Sequence, residues 1–242
     1  MVILMKNYVE YVLKDQKKRD LVLILPGGGY ERTSPREAMP VARACIKQGM
    51  HAAIFWYREE KLTYPYLHEE ALKILNAIKE KPFIKRLFIL GFSAGGHFAL
   101  MLSIKYPHLI DKTVLGYPVV STDPSLWHQS SFMHLLGSHD HHYMDEISLE
   151  KHVHKDMKPV FIMHTQDDMS VPVENTLVLI NALQANQVKY EAHIYPKGRH
   201  GISLATKEVA FDGEDPMTFE KNHAMVKPWF KHAINFMRRN DL

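Results

Sequence analysis

The sequence predicts an α/β fold in which a mostly parallel sheet carries helices on both faces. Strand-like and helix-like segments alternate along the chain, and the strand-like segments are apolar throughout. The 242 residues contain no Pro-, Gly- or Ser-rich linker, no shift in composition and no low-complexity run. Hydrophobic residues form 46% of the chain, which is enough for a sizeable core. We therefore expect a single domain over residues 1–242.

Seven segments are predicted to be strands because they are short runs rich in apolar and β-branched residues. In chain order they are residues 8–13, 21–25, 51–57, 87–90, 112–117, 159–164 and 188–195. The even spacing of these runs, with helical patterns between them, is typical of strands joined by crossover helices.

Five segments are predicted to be helices, over residues 35–48, 66–80, 94–106, 173–185 and 224–239. The first is closed by Gly49, a residue that commonly ends helices. In the second, Leu67, Ala71 and Leu75 fall on one face, as expected for a helix that packs against a sheet.

Residues 91–95 read Gly-Phe-Ser-Ala-Gly, which is the pattern G-x-S-x-G. A predicted strand leads into the pattern and a predicted helix leads out of it, as a nucleophile elbow requires. The small flanking residues permit a tight turn, and the helix N-terminus favours negative charge near Ser93. The pattern alone is weak, and its alternative interpretation is a glycine-rich turn with an idle serine.

Ligands bind beyond the carboxyl ends of strands in parallel sheets, so the residues after each strand are candidate site residues. Residues 26–30, Pro-Gly-Gly-Gly-Tyr, follow the second predicted strand, and their amides can approach an oxyanion closely. Asp167 and Asp168 follow the sixth, and either could orient a histidine. His200, between glycines after the last predicted strand, is a candidate general base.

The order Ser93, then an aspartate, then His200 is the chain order of α/β-hydrolases. The chain resembles the bacterial acetylesterase or xylan-esterase-like branch of that superfamily. The matching stretches are residues 26–30, 91–96, 148–153, 164–175 and 195–204. By position, the resemblance implies Ser93 as the nucleophile, Asp168 as the acid and His200 as the base. The oxyanion donors that it implies are the amides of Gly28, Gly29 and Ala94.

One position departs from the pattern of these esterases. Many of them carry His-Gly-Gly-Gly where this chain has Pro26 before the three glycines. Proline cannot supply the side-chain hydrogen bonds of a histidine, so the loop must be held in another way, such as by the fixed φ of Pro26.

The resemblance implies a serine carboxylesterase that hydrolyses short-chain acyl esters, acetyl esters of sugars in particular, without a metal or an organic cofactor. Its partner would be a small-molecule ester, and Tyr30 and Trp127 are expected to contact that substrate. Two alternatives stay open. One is an amidase or formamidase that uses the same triad, and the other is a catalytically silent binding protein on the same fold.

Residues 121–156 are rich in histidine and weakly periodic, and we expect them to form a cap insertion over the site. Trp127 would then line an acyl or sugar pocket, or belong to a small core of the cap. The run Ser-His-Asp-His-His at 138–142 lacks the histidine pair with glutamate of a zinc-hydrolase helix, so we expect no metal.

Asp123 is an alternative to Asp168 as the acid of the triad.

Charge and cysteine content exclude several other classes. The formal net charge of +3 argues neither for nor against an acidic partner, and the sequence has no basic stripe with interleaved aromatics, so we expect no nucleic-acid partner. Cys45 is the single cysteine, so no internal disulfide forms, and we expect a buried thiol. There is no signal-peptide pattern and no run long enough to cross a bilayer, so we expect a cytoplasmic protein without a membrane partner. A mature secreted chain written without its signal would look similar and is the alternative. Exposed edge strands at either end of the sheet could pair with a second copy of the chain, so a homo-oligomer is an alternative to a monomer.

Overall fold

The computed structural model describes residues 6–137 and 142–241, and within these ranges seven strands form one sheet. The strands are β1 (Tyr8–Val12), β2 (Arg19–Leu25), β3 (His51–Trp56), β4 (Ile84–Phe92), β5 (Lys112–Gly116), β6 (Val160–Thr165) and β7 (Tyr190–Tyr195). Their order across the sheet is β1-β3-β2-β4-β5-β6-β7. Among these strands β1 is antiparallel to its neighbour, and the other neighbouring pairs are parallel. The predicted mostly parallel sheet is confirmed.

Seven α-helices pack around the sheet in the described part of the chain. They are α1 (Met39–Lys47), α2 (Tyr66–Lys79), α3 (Ala94–Lys105), α4 (Gln129–Leu136), α5 (Glu174–Ala185), α6 (Pro216–Asn222) and α7 (Trp229–Arg238). Short 3₁₀ turns cover Pro35–Glu37, Leu149–His152 and Lys207–Val209. None of the described helices is long and apolar enough to cross a membrane.

Two predicted helices begin later than expected, and proline explains both differences. The segment 35–48 divides into the 3₁₀ turn at Pro35–Glu37 and α1, with a break at Ala38. A continuous helix would put Pro40 in its interior, whereas the break places Pro40 in the first turn of α1, where no N–H is needed. The last helix starts at Trp229 rather than 224 because Pro228 takes the cap position.

Helices α4 and α6 were not predicted. Helix α4 has eight residues and lies within the weakly periodic segment that follows β5. Helix α6 has seven residues, but its start does carry a signal in the sequence. The Asp215 side chain accepts the N–H of Thr218, and Pro216 occupies the first turn, which is a common way to begin a helix.

The two faces of the sheet bury separate apolar layers. In β2, Leu21, Leu23 and Leu25 belong to one layer, whereas Val22 and Ile24 belong to the other. The first layer also takes in residues of α2, α3 and α5, and the second takes in residues of α1 and α7. Helices therefore cover both faces, as predicted. Full burial of each such aliphatic side chain contributes about 1.5–3 kcal/mol.

Cys45 lies in the second apolar layer and is a free, buried thiol, which confirms the expectation. Burial raises the pKa of this thiol to about 12. A thiol that stays protonated in an apolar layer is inert, so Cys45 is a packing residue.

The sheet brings the carboxyl ends of five neighbouring strands to one edge. Strands β2, β4, β5, β6 and β7 run parallel in neighbouring positions, so their carboxyl ends lie on the same side of the sheet. Residues 26–30 follow β2, Ser93 follows β4, Asp168 comes shortly after β6 and His200 follows β7. The parallel topology therefore collects the candidate site residues at this edge.

Candidate active site

Ser93 is the single residue between β4 and α3. Its φ of 53° and ψ of −121° lie in a region that non-glycine residues seldom adopt. Such backbone strain costs on the order of 1–3 kcal/mol and persists where the surroundings hold it. Here the N–H of Ser93 donates to the carbonyl of Gly116 at 3.0 Å, and its carbonyl accepts the N–H groups of His97 and Val119. The hydroxyl is thus presented at the start of α3.

The two glycines of the G-x-S-x-G pattern are required by close backbone contacts. A Cβ at Gly91 would lie 2.1 Å from the carbonyl oxygen of Gly95. A Cβ at Gly95 would lie 2.1 Å from the carbonyl oxygen of Leu25. A side chain at either position would push α3 away from β4 or from the end of β2. The motif therefore encodes the close approach of these three elements.

Ser93, His200 and Asp168 form a continuous hydrogen-bonded chain. The Nε2 of His200 is 2.8 Å from the Oγ of Ser93, and its Nδ1 is 2.7 Å from the Oδ2 of Asp168. A neutral imidazole that donates from Nδ1 to the carboxylate leaves Nε2 free to accept the serine O–H. Ser93 and Asp168 are buried, whereas 21% of the His200 side chain is exposed. The three residues singled out in the sequence are thus brought together.

The Asp168 carboxyl is held in its ionised form. Its Oδ1 accepts the N–H groups of Ser170 and Val171, each at 2.9 Å. Burial by itself raises the pKa of this carboxyl, but His164 and His200 outweigh burial and lower the pKa below its usual value. An ionised carboxylate at this place stabilises the imidazolium form of the neighbouring ring.

Asp167 and Asp123, the other two candidates for the acid of the triad, form hydrogen bonds with other partners. The Oδ1 of Asp167 accepts the N–H of Gly198 at 2.6 Å, on the loop that leads to His200. The Oδ1 of Asp123 accepts the N–H and the hydroxyl of Ser125 in an exposed turn. The structure therefore places Asp168, and neither of the other two, beside His200.

The backbone of residues 28–30 turns through three successive positive φ angles, of 128°, 66° and 56°. A Cβ at Gly28 would lie 2.3 Å from the carbonyl oxygen of Arg32, so this turn accepts only glycine there. Within the described residues, the amides of Gly28, Gly29 and Ala94 donate to no protein acceptor. Unpartnered amides close to Ser93 are available to an anionic oxygen bound there.

Tyr30 was expected to contact substrate, and the structure corrects this. Its ring is fully buried, and its hydroxyl lies 2.8 Å from the Nδ1 of His97. The Nε2 of His97 lies 2.8 Å from the carbonyl of Ile147. Burial lowers the pKa of His97 to about 4, so the ring is neutral. Tyr30 therefore anchors the glycine loop to α3 instead of facing a ligand.

A small cavity of about 200 Å³ lies in front of the triad. Ser93, Gly28 and Gly29 line it together with polar side chains, among them Arg32 and His128. Trp127 is not one of the lining residues, and its half-buried ring packs against the first apolar layer. A larger cavity of about 610 Å³ lies between α1 and α6, but none of the triad residues lines it. We take the smaller one as the candidate site because the reactive groups face it.

Several residues that shape the site were missed in the sequence. Arg36 donates to the carbonyl of Gly201, next to His200, at 2.9 Å. Glu37 is buried and accepts the N–H of Gly27. Tyr57 donates to the carbonyl of Pro26. The sequence carries no local signal for these roles, since both charged residues read as part of a surface helix and Tyr57 as the end of a strand.

Most of the histidine run at 138–142, considered above as a metal site, lies outside the described residues. No group of three or more His, Cys, Asp or Glu in this part of the chain has the arrangement to hold a metal ion. His139, Asp140 and His141, which belong to that candidate, lie outside the described residues.

Comparison with known proteins gives a family match and similar enzymes. Residues 67–224, which include Ser93, Asp168 and His200, match the model of the prolyl oligopeptidase family. The chain is 31% identical over 225 residues to endo-1,4-beta-xylanase B of Butyrivibrio fibrisolvens, a match that covers 84% of this chain and 35% of that protein. It is 29% identical over 195 residues to an acetylxylan esterase of Xylanibacter ruminicola, covering 75% of this chain and 41% of that protein. The chain thus spans well under half the length of both relatives.

A solved structure of similar size also matches. The acetyl ester-xyloside bifunctional hydrolase from Caldicellulosiruptor lactoaceticus superposes with a TM-score of 0.75 at 30% sequence identity. The superposition covers 91% of this chain and 88% of that one, so the likeness extends over nearly the whole fold.

Proposed function

Because the chain belongs to the prolyl oligopeptidase family of α/β-hydrolases, we propose that it is a serine esterase that hydrolyses short-chain acyl esters. The observation that carries the proposal is the hydrogen-bonded chain from Asp168 through His200 to Ser93, which ends beside unpartnered amides. Nucleophile, base and orienting carboxylate within hydrogen-bond reach are the requirements for acyl transfer through an acyl-enzyme.

In the first half of the proposed reaction, the Oγ of Ser93 attacks the ester carbonyl carbon while the Nε2 of His200 takes the hydroxyl proton. Asp168 accepts the Nδ1–H and stabilises the imidazolium that forms. The carbonyl oxygen becomes an oxyanion and accepts N–H groups from the glycine loop and from Ala94. Each donor of this kind raises kcat by a factor of about 10²–10³. When the tetrahedral intermediate collapses, the bond to the alcohol breaks, and His200 returns its proton to the leaving oxygen.

The second half of the reaction repeats these steps with water. His200 takes a proton from the water molecule as its oxygen attacks the acyl carbon of the Ser93 ester. The intermediate again places its oxyanion against the same amides, and collapse releases the carboxylic acid and restores the Ser93 hydroxyl. Side chains and amides carry every step, so the mechanism needs no metal or organic cofactor.

We propose acetyl esters of a sugar as the substrate class. The cavity of about 200 Å³ is smaller than the ~300–1,000 Å³ that is usual for larger ligands, which favours a short acyl group. Its charged and polar lining suits an alcohol with several hydroxyls. The names of the relatives agree, since one is an acetylxylan esterase and another an acetyl ester-xyloside hydrolase.

We further propose that residues 121–156 form a cap over the site within a single domain. Helix α4 lies in this segment, and the Nδ1 of His134 on α4 is 3.0 Å from the carbonyl oxygen of Gly29. His128, which precedes α4, lines the cavity. Contact with both the glycine loop and the cavity supports a role in enclosing the substrate.

The test compares p-nitrophenyl acetate with the butyrate and octanoate esters, and then measures acetate release from acetylated xylo-oligosaccharides. We expect the highest kcat/KM for acetate, release of acetate from the sugar, and loss of both activities in Ser93→Ala. Activity that rises with acyl length would contradict the acetyl preference. Full activity in Ser93→Ala would contradict the mechanism.

Amide hydrolysis is a second candidate, because the matched family is named for an oligopeptidase. The same triad serves amides, but an amide nitrogen must be protonated before it leaves. A comparison of p-nitroacetanilide and N-formyl substrates with p-nitrophenyl acetate separates the two activities. A silent binding protein would hydrolyse none of these substrates.

A further inference from the structure

The peptide group between Pro26 and Gly27 is held at both of its polar ends. The hydroxyl of Tyr57 donates to the carbonyl oxygen of Pro26 at 2.5 Å, and the N–H of Gly27 donates to the Oε2 of Glu37 at 2.8 Å. In a planar trans peptide the carbonyl and the N–H point in opposite directions. Two bonds from opposite sides therefore fix the rotation of this peptide plane.

This peptide group is the entry to the loop that carries the candidate oxyanion donors. Gly28 and Gly29 follow it directly, and both line the cavity in front of Ser93. Glycine imposes little preference on its own backbone angles. Within the loop, the carbonyl of Gly27 accepts the N–H of Ser34, and the carbonyl of Gly28 accepts the N–H groups of Glu31 and Arg32. The bonds to the Pro26–Gly27 peptide therefore set the position and entry angle of this turn as a whole.

Glu37 also connects this loop to the His200 side of the site. Its Oε1 accepts the hydroxyl of Tyr117 at 2.6 Å, and the oxygen of Tyr117 accepts the N–H of Ser203 at 2.8 Å. The rings of Tyr117 and His200 meet edge to face with their centroids 5.0 Å apart. Burial, and then the nearby Glu37, raise the pKa of Tyr117 well above its ordinary value, so its hydroxyl remains a donor.

We propose that Glu37 is a positioning residue for the oxyanion hole, which orients the amides of Gly28 and Gly29 through the Pro26–Gly27 peptide, with Tyr57 as the second tether. The inference rests on the proposed esterase function. It also accounts for Pro26 at the start of the loop, where proline has no side-chain hydrogen bonds to offer, because the loop is held by distant side chains.

The chemistry of the two bonds requires a carboxylate at position 37. Both partners, the N–H of Gly27 and the O–H of Tyr117, are donors to Glu37. A carboxylate accepts both bonds, whereas a carboxamide of the same shape accepts only one of them. Its NH₂ group then faces either the N–H of Gly27, which cannot accept, or the Tyr117 hydroxyl, which would have to accept where it now donates. Glu37→Gln is therefore the variant that changes the bonding with little change in volume.

The experiment counts active sites with a fluorophosphonate and measures kcat per labelled site with p-nitrophenyl acetate. For Glu37→Gln we expect kcat per site to fall by about 10- to 100-fold with KM within about twofold, since misplaced donors act mainly on the transition state. A trifluoromethyl ketone, which binds as a tetrahedral oxyanion, should bind more weakly by a similar factor. A purely structural role would reduce the number of labelled sites and leave kcat per site unchanged.

Ser103→Ala is the matched control, because the Ser103 hydroxyl is a buried group bonded to Thr113 at 2.5 Å near the far end of α3. It should lower stability and leave kcat per site unchanged. Tyr57→Phe removes the other tether and should also lower kcat per site, so it serves as the test if Glu37→Gln does not fold. If Glu37→Gln and Tyr57→Phe both keep the wild-type kcat per site, this inference is overturned and the proposed esterase function is not. A wild-type protein that neither hydrolyses the ester nor reacts with the phosphonate would overturn the proposed function and this inference with it.

Discussion

The Nε2 of His200 lies 2.8 Å from the Oγ of Ser93, although 107 residues separate the two along the chain. Ser93 is fixed by the turn from β4 into α3, and His200 is carried by the loop after β7. That loop is tied down on both sides of the histidine, by Asp167 at Gly198 and by Arg36 at Gly201. The contact between Ser93 and His200 is therefore a product of the parallel sheet and of these loop anchors.

The neighbouring aspartates allow a matched pair of variants. Asp168→Asn should lower kcat for p-nitrophenyl acetate by about 10³- to 10⁴-fold, because a carboxamide no longer holds His200 in the required tautomer. Asp167→Asn keeps an oxygen for the N–H of Gly198 and should stay within about tenfold of the wild-type kcat. Steady-state kinetics on both variants check this. An equal loss in the two would remove the distinction between them.

Buried His97 should make the protein less stable in acid. Burial lowers its folded-state pKa to about 4 from the ordinary value of 6.5, so below pH 6.5 the unfolded chain binds a proton that the folded chain does not. The free energy of unfolding should therefore fall between pH 6.5 and about 4, by up to about 3 kcal/mol from this residue. Urea unfolding at pH 7 and pH 4.5 should show a smaller loss for His97→Gln than for the wild type. The same pH dependence in both would contradict the assignment.

Asn175 should be important for stability. Its Oδ1 accepts the N–H groups of Val120 and Ser121, and its Nδ2 donates to the carbonyl of Leu126 at 2.8 Å. Asn175→Ala leaves these buried backbone groups unpaired, and we expect a loss on the order of 3 kcal/mol in the free energy of unfolding. Asn186→Ala, at the end of α5, is the control and should cost less than about 1 kcal/mol. Equal losses in urea unfolding would mean that the Asn175 bonds contribute little.

The parts of the site that follow from the sequence are those with a local pattern. Gly91 and Gly95 mark the turn at Ser93 because a Cβ at either meets neighbouring backbone within three ångströms. His200 stands out because it follows a predicted strand in the chain order of the superfamily. Such signals depend on residues that are close in sequence, so the elements of the sheet and the positions of the triad could be predicted.

The residues that support the site have no such local pattern. Glu37 meets Tyr117 across 80 residues of sequence, and Tyr30 meets His97 across 67. An aromatic residue after a glycine loop looks like a ligand contact, and only the tertiary structure shows that the Tyr30 ring is buried. Helix α4 was missed because its eight residues are too few to display a clear period.

The central claim is that Ser93 is the nucleophile, and mass-spectrometric mapping of a fluorophosphonate adduct tests it most directly. The native protein should take up one phosphonyl group on the peptide that contains Ser93, and ester hydrolysis should fall in proportion to labelling. Ser93→Ala should fold, remain unlabelled and show no hydrolysis above background. An adduct on a different residue, or undiminished hydrolysis by Ser93→Ala, would contradict the claim.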